Sequence, residues 1–340
     1  MDERYKLIES IEKLRDSKVI TYVTSDRQPP FSAKIASDAV RIFYDHLNKI
    51  GHVNKIDLFV HSLGGDTMTP WRLVNLIREF CDDFAVLVPY KAHSAATLIA
   101  LGADEIVMGP MGELTPIDPT IGTPFNPPHP ENPNEPKVEI GVEDVMGYIN
   151  LAKEKIGITD QDNLVKIYEK LGDRIHPLAI GGVYRSHALI RLLASKILKL
   201  HMREKMQIQS VPTIVDYLVE KLYYHNYLIS RNEVEELGLK LLKPPDDLEN
   251  AIWNLYLSYE KELELGKLFN PQEYLKGDAE SVEIDSSIAL IESIFLKSSF
   301  DKKVKISKAM VSAAPQVIAP QFSIQEEIIG WKTTEIMREE

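Results

Sequence analysis

Two short runs of sequence combine small residues with side chains that are suited to acyl transfer. The first run is His-Ser-Leu-Gly-Gly-Asp at residues 61–66, and the second is Lys-Ala-His-Ser-Ala-Ala-Thr at residues 91–97. Two adjacent glycines let the backbone turn tightly and point bare N–H groups into a cleft. A serine hydroxyl beside such N–H groups could attack a carbonyl whose oxygen becomes negative. The predicted site consists of the nucleophile and the backbone around the carbonyl: Ser94, with the turn at Gly64 and the oxyanion N–H groups of Gly65 and Ala95.

Each run alone also fits a purely structural role. A glycine pair is common in a tight turn between a strand and a helix, and Ser94 could be an ordinary helix N-cap. We interpret His93 as a packed or surface histidine, because a neighbour in sequence rarely has the geometry of a base. The functional interpretation therefore depends on whether the two runs meet in space.

The surrounding pattern predicts that they do meet. Apolar and β-branched runs predict strands at residues 18–24, 56–60, 84–88 and 105–108, with helical spacing between them. Such strand–helix–strand repeats give right-handed crossovers and a mainly parallel sheet. Ligands bind at the carboxyl ends of strands in α/β proteins. Since residues 61–66 and 91–97 follow the second and third strands, they should lie at one edge of the sheet.

The rest of the chain is divided by its composition. Residues 116–136 hold eight prolines, which cannot continue a helix or a central strand, so this segment is predicted to be a loop or flap. Beyond it the pattern is almost entirely helical, and then it becomes β-prone. We predict a βαβ catalytic core over residues 1–141, which includes the loop. A helical part of the same fold follows over 142–265, and a C-terminal extension over 266–340.

Composition excludes several classes of function. The 340 residues include 39 Lys+Arg and 51 Asp+Glu, a net charge of −12, which argues against nucleic acid or an anionic membrane as the main partner. The single Cys81 excludes intramolecular disulfides and Cys-rich zinc sites. We find no metal-ligand spacing, P-loop or dinucleotide motif, so we expect no metal, no cofactor and no use of ATP. We also expect no membrane span and a cytoplasmic location, since the chain starts without an apolar signal region.

Taken together, these motifs resemble the serine dehydrogenase proteinase family. That family is a soluble branch of the Clp-protease/crotonase fold and is related to signal peptide peptidase A. The resemblance rests on residues 61–65 and 92–100, on Ala-Asp-Glu-Ile-Val-Met-Gly-Pro at 103–110, and on Glu-Leu-Thr-Pro-Ile-Asp-Pro at 113–119. It continues more weakly through the helical half to about residue 265.

The resemblance implies an α/β fold, a Clp/crotonase-like spiral of βαβ units with a helical arm. It implies an ATP-independent serine peptidase that acts on peptide or protein substrates. It also implies a homo-oligomer, because Clp-like proteins build rings by stacking helical arms. In this match Ser94 corresponds to the nucleophile, and Gly65 and Ala95 to the oxyanion amides.

The general base does not follow from the match. Clp proteases carry a histidine after the nucleophile, but residues 114–119 contain none. A Ser-Lys dyad, as in signal peptide peptidases, is the natural substitute if burial lowers the pKa of the lysine. On the predicted helix 142–156 the apolar stripe passes through position 153, so Lys153 is predicted to face inward and act as the base. The other candidates for the base are Lys166, Lys170, His176 and Asp118.

Two other functions stay open. A crotonase-like acyl-CoA enzyme uses the same pair of amides without a serine nucleophile. A non-catalytic assembly protein on a Clp-like scaffold would explain the missing histidine.

The amphipathic helices after residue 142 are longer than one small sheet can cover, which also predicts a homo-oligomer.

Overall fold

We analysed a computed structural model, which describes residues 3–117, 120–129, 137–222, 224–275, 279–314 and 317–336. The strands, in chain order, are β1 Lys18–Thr24, β2 Val53–His61, β3 Cys81–Val88, β4 Lys91–Ala92, β5 Glu105–Met108, β6 Glu113–Leu114, β7 Thr120–Ile121, β8 Ile140–Gly141, β9 Ile229–Ser230, β10 Leu241–Leu242, β11 Ser281–Glu292, β12 Leu296–Ala314 and β13 Val317–Glu335. The α-helices are α1 Glu3–Arg15, α2 Ala39–Ile50, α3 Thr69–Arg78, α4 Ala95–Leu101, α5 Val142–Asn150, α6 Gln161–Gly172, α7 Pro177–Leu198, α8 Lys205–Asp216, α9 Arg231–Glu236, α10 Asp246–Leu263 and α11 Pro271–Tyr274. Two π-helical turns follow α5 and α8, at Leu151–Lys155 and Tyr217–Lys221.

The chain forms two compact units. The first unit contains residues 1–113 and 239–340, and the second contains residues 114–238. This division differs from the linear one predicted from composition. The chain returns to the first unit after residue 238, because β10 pairs with β5 and β11 pairs with β1.

The first unit is built on one large sheet in the order β10-β5-β3-β2-β1-β11-β12-β13. Strands β10, β5, β3, β2 and β1 run parallel to their neighbours, and β11, β12 and β13 are added antiparallel. Leu58 of β2 lies opposite Val86 of β3 on one side and Ile20 of β1 on the other. The prediction of a mainly parallel α/β sheet, with the second and third strands as neighbours, is confirmed.

Helices cover both faces of the parallel strands. On one face, α1 and α10 pack against Val19, Val23 and Phe59. On the other face, Phe43 of α2 makes an edge-on ring contact with Tyr22, at 5.4 Å between centroids. Residues on both faces are therefore buried, which explains why these strands are continuous apolar runs rather than alternating ones.

A buried carboxylate joins the C-terminal strands to the core. Glu292, in β11, is fully buried and accepts hydrogen bonds from Arg4 at 3.2 Å and from the Tyr259 hydroxyl at 2.5 Å. Burial raises the pKa of Tyr259 well above its usual value, so the hydroxyl stays protonated and donates. Because a buried charge is stable only when it is paired, α1, α10 and β11 are held together at this point.

The second unit is mostly helical. Its core contains Ile140, Val142, Val145, Ala179 and Val183. The helical pattern predicted after the proline-rich segment is observed here, and π-helical turns follow α5 and α8. Helix α6 is amphipathic, yet none of its residues is buried. Its apolar stripe is therefore only partly covered within the described chain.

Candidate active site

Ser94 occupies a strained turn between a strand and a helix. Strand β3 leads through the short β4 to Ser94, and α4 begins at the next residue. Ser94 has φ +50° and ψ −106°, a conformation that residues with a Cβ rarely adopt. Such backbone strain costs on the order of 1–3 kcal/mol and is concentrated at functional sites. Within residues 90–101, all of which are described, the Ser94 hydroxyl makes no capping bond to α4. The ordinary N-cap interpretation of Ser94 therefore does not apply.

The glycine pair forms the second part of the site. Gly64 and Gly65 have φ of +103° and +156°, so both need the freedom of glycine. The Ser62 hydroxyl accepts a hydrogen bond from the Gly64 N–H at 3.0 Å and another from the Thr24 hydroxyl at 2.7 Å. These bonds hold the turn against the ends of β1 and β2.

The structure brings Gly64 and Ser94 into contact. A Cβ on Gly64 would lie 2.9 Å from the Ser94 Cβ and 3.3 Å from the Ala95 nitrogen. Two backbone hydrogen bonds link the same segments: Ser62 N–H donates to the Lys91 carbonyl at 2.9 Å, and His93 N–H donates to the Ser62 carbonyl at 3.0 Å. The two sequence runs thus meet at the carboxyl edge of the sheet, as their order along the chain predicted.

The N–H groups of Gly65 and Ala95 are the two predicted donors to an oxyanion. Ile35 forms a parallel bridge with Gly65: its N–H donates to the Gly64 carbonyl, and its carbonyl accepts from the Asp66 N–H, both at 2.8 Å. In such a bridge the N–H of Gly65 itself is not used. Ala95 is the first residue of α4, where an N–H has no acceptor within the helix. The role of these two N–H groups as oxyanion donors stays a prediction.

His93 is tied to a carboxylate. Its Nε2 lies 3.0 Å from Oε1 of Glu113, and both side chains are only 17% exposed. Burial raises the pKa of Glu113 above its usual value. This contact supports the interpretation of His93 as a packed residue that steadies the segment before Ser94.

The expected inward orientation of Lys153 is wrong. Lys153 lies in the π-helical turn Leu151–Lys155 and is exposed, whereas Ala152 is buried in its place. Regular helical spacing allows either position 152 or position 153 to face inward after Ile149. In the structure Ala152 takes the buried position, and Lys153 is exposed.

The other candidate bases lie in the second unit or outside the described residues. Lys166 and Lys170 are exposed on α6, facing outward as their spacing predicted. His176 caps α7, since its Nδ1 accepts from the Leu178 N–H at 3.2 Å, and its ring stacks on Phe125. Asp118 lies outside the described residues.

Two charged residues beside the site, Asp26 and Lys91, were not among the predicted site residues. Asp26 follows β1 and forms an ion pair with Lys91, which follows β3, at 2.7 Å. Charged residues placed directly after two buried strands were the available signal. In the part of the chain that the structure describes, no group of three or more His, Cys, Asp or Glu side chains could hold a metal ion.

Residues 1–129 match the family described as ClpP-like SDH-type serine proteinase. The matched segment contains the glycine pair and Ser94, and it confirms the family resemblance over these residues. It covers just over a third of the chain.

Two curated relatives also match, and both are uncharacterised proteins of Methanocaldococcus jannaschii. One is 30% identical over 128 residues, which are 35% of this chain and 43% of the relative. The other is 37% identical over 67 residues, which are 20% of this chain and 23% of the relative. The chain thus spans less than half the length of either relative.

Solved protease structures overlap with the chain more loosely. The 1510-N membrane-bound stomatin-specific protease is 16% identical, with a TM-score of 0.36 over 69% of this chain and 85% of its own. ClpP1 from Listeria monocytogenes is 14% identical, with a TM-score of 0.33 over 72% and 97%. Overlaps of this quality say nothing about mechanism. Among the described residues of the present chain, no helix is long and apolar enough to cross a membrane.

Substitution of Gly64 by alanine tests the contact between the two turns. The new Cβ would meet Ser94 and the His93 carbonyl within about 3 Å at a backbone φ that alanine rarely adopts. Displacement of the turn by even 1 Å is expected to lower the reactivity of Ser94 about a hundredfold. The rate of labelling by a fluorophosphonate, followed by mass spectrometry, measures this reactivity.

Gly51→Ala is the matched control. Gly51 also has a positive φ, of +76°, but a Cβ there would have no neighbour within 4 Å. It should lower the melting temperature slightly and leave labelling unchanged. Equal labelling of Gly64→Ala and the unaltered protein would show that the close approach is not needed.

Proposed function

We propose that this protein is an ATP-independent serine peptidase with Ser94 as its nucleophile. The single observation that carries the proposal is the close approach of Gly64 to the strained Ser94. A Cβ added to Gly64 would lie only 2.9 Å from the Ser94 Cβ. That approach supports a site in which the Ser94 hydroxyl and the amides of Gly65 and Ala95 act on one carbonyl. The family match over residues 1–129 supports the same chemistry.

The proposed reaction is acyl transfer in two steps. The Ser94 hydroxyl loses its proton to a base and attacks the peptide carbonyl, while Gly65 and Ala95 N–H groups donate to the negative oxygen. The C–N bond then breaks, the amine leaves with that proton, and an acyl-enzyme ester remains. Water hydrolyses the ester by the same route, which restores Ser94. No nucleotide or metal takes part in these steps.

A fluorophosphonate probe tests the nucleophile. It should label the folded protein at one position, Ser94, and Ser94→Ala should not be labelled although it keeps the same melting temperature. Ser37→Ala is a suitable control, because Ser37 is an exposed serine of the same unit. A folded protein that resists the probe would contradict the proposal. Stabilisation by CoA esters without labelling would instead support the acyl-CoA alternative.

We further propose that the base is a lysine of the second unit, with Lys153 as the first candidate. In this unit the candidate histidine, His176, already accepts a bond from the start of α7. A lysine can serve only where its surroundings lower its pKa from about 10.4. Since Lys153 is exposed in the single chain, its role requires that a substrate or a second copy covers it.

A lysine scan tests this assignment. Lysine occurs between Ser94 and Leu171 at five positions, which are Lys137, Lys153, Lys155, Lys166 and Lys170. Lys153→Met is expected to lower the labelling rate of Ser94 about a hundredfold or more, while the other four Lys→Met variants keep it. The labelling rate of the unaltered protein should rise with pH, with a midpoint below that of a free lysine.

Normal labelling of Lys153→Met would reject Lys153. A loss in one of the other four variants would identify the base directly. If all five variants keep their reactivity, the Ser-Lys dyad is wrong, and His176→Gln and Asp118→Asn are the next variants to measure.

We also propose a homo-oligomer that is held by the second unit. Val165 and Tyr168 on α6 are 53% and 52% exposed, and Tyr184 on α7 is 73% exposed. Exposed apolar side chains at helical spacing are typical of surfaces that bind another protein. A second copy of the chain would bury these side chains and could cover Lys153.

Sedimentation of a double variant tests the oligomer. Val165→Glu with Tyr168→Glu should convert an oligomer into monomers at micromolar concentration without lowering the melting temperature of the monomer, because both side chains are exposed within the chain. Glu169→Lys, on the polar face of the same helix, should leave the assembly intact. A monomeric unaltered protein would contradict the proposal.

A further inference from the structure

An ion pair with a buried carboxylate involves Lys91, which lies in the segment that leads to Ser94. The side chain of Asp26, which follows β1, is 2% exposed. Its Oδ2 accepts from the Lys91 ammonium at 2.7 Å, and its Oδ1 accepts from the Gly266 N–H at 2.8 Å. Although burial alone would favour the neutral acid, the neighbouring His61 and Lys91 side chains and the Gly266 N–H hold the pKa of Asp26 well below its usual range. The carboxylate is therefore charged at neutral pH, and Lys91 balances its charge.

A buried histidine lies beside the same carboxylate but forms no hydrogen bond with it. His61 is fully buried, with its Nε2 3.7 Å from the same Oδ2, beyond hydrogen-bonding distance. Among the described residues, neither of its ring nitrogens has a hydrogen-bond partner. Burial lowers the pKa of His61, so at neutral pH it carries no charge and offers Asp26 no ionic partner.

The backbone of Lys91 connects this pair to the catalytic turn. Its carbonyl accepts from the Ser62 N–H, and Ala92 forms the parallel bridge with Ser62. The Thr97 hydroxyl donates to the Ala92 carbonyl at 2.8 Å. A residue held as Ser94 is, at φ +50°, keeps that conformation only where its surroundings impose it. The side chain of Lys91 anchors one end of that turn to a charge fixed at the end of another strand.

We propose that the Asp26–Lys91 ion pair is a positioning device that holds the Ser94 turn in its reactive conformation. This inference rests on the proposed function of Ser94. Asp26 and Lys91 touch neither the substrate nor the reacting atoms in this account, and they act through the backbone of residues 91–94. Loss of the Lys91 charge should leave the buried Asp26 carboxylate without its ionic partner, and loss of either charge should let the turn relax.

Saturation kinetics of fluorophosphonate labelling test the positioning role. Lys91→Met and Asp26→Asn should each lower the maximal labelling rate at least about tenfold, with little change in the probe concentration needed for half-saturation. Lys91→Arg should recover most of the rate, because a guanidinium can also pair with a carboxylate. The double variant should be no slower than the singles, since the two residues act as one unit.

Lys18→Met is the matched control, because Lys18 lies at the amino ends of the parallel strands, opposite the carboxyl ends that carry the site. Lys18, at the start of β1, pairs with Glu12 at 3.0 Å, and the Glu12 side chain is 8% exposed. This variant removes the same type of ion pair far from the carboxyl edge, so it should keep the labelling rate. Equal losses in Lys18→Met and Lys91→Met, an unchanged rate in Lys91→Met, or failure of Lys91→Arg to recover would each overturn the inference.

Hydrogen exchange gives a readout that does not require activity. In Lys91→Met, amides of residues 91–97 should exchange faster than in the unaltered protein, while Lys18→Met leaves them unchanged. If the unaltered protein resists the probe, the proposed function fails and exchange alone decides the positioning role. Unchanged exchange of residues 91–97 in Lys91→Met would then refute it.

Discussion

The arrangement of this protein depends on how closely the backbone of Gly64 approaches Ser94. A side chain at position 64 would overlap the serine Cβ and the carbonyl before it, so glycine is the residue type that permits the contact. The contact brings the turn after β2 and the start of α4 together. In the proposed function, one hydroxyl and two backbone amides from these segments act on a single carbonyl, which is the minimum that acyl transfer requires.

The rest of the first unit keeps this contact in place. Strands β2 and β3 are neighbours in a sheet that is covered on both faces, so a shift of register would expose core residues. The carboxyl edge is tied further by the hydroxyl bond between Thr24 and Ser62 and by the pair Asp26–Lys91. The antiparallel strands extend the same sheet through β11, where the buried Glu292 joins it to two helices. The strain at Ser94 is thus supported by surroundings that have little freedom to relax.

The sequence correctly predicted the bounds of a strand and the meeting of two turns, which follow from patterns along the chain. Strand β1 was predicted with its observed bounds, because a run of β-branched and aromatic residues has few alternatives in a buried sheet. The order of strands and turns along the chain was enough to predict that the glycine pair and Ser94 meet. These two predictions depend on hydrophobic spacing along the chain and on the fixed handedness of the connection between parallel strands.

Other features depend on interactions that spacing does not encode. Helical spacing allows either position 152 or position 153 to face inward after Ile149, and the apolar stripe does not show that Ala152 is the one that is buried. The pairing of Thr21 with Glu292 joins residues 271 positions apart, so a β-prone tail did not reveal its partner strand. In the sequence, Asp26 and Lys91 are simply charged residues that follow strands. Their ion pair could be predicted only from the order of those strands in the sheet.

A structure of the covalent fluorophosphonate adduct tests the central claim most directly. The account predicts a bond from phosphorus to Ser94 Oγ, with one phosphoryl oxygen about 2.7–3.1 Å from the nitrogens of both Gly65 and Ala95. An adduct on another residue, or a phosphoryl oxygen that points away from both amides, would contradict it.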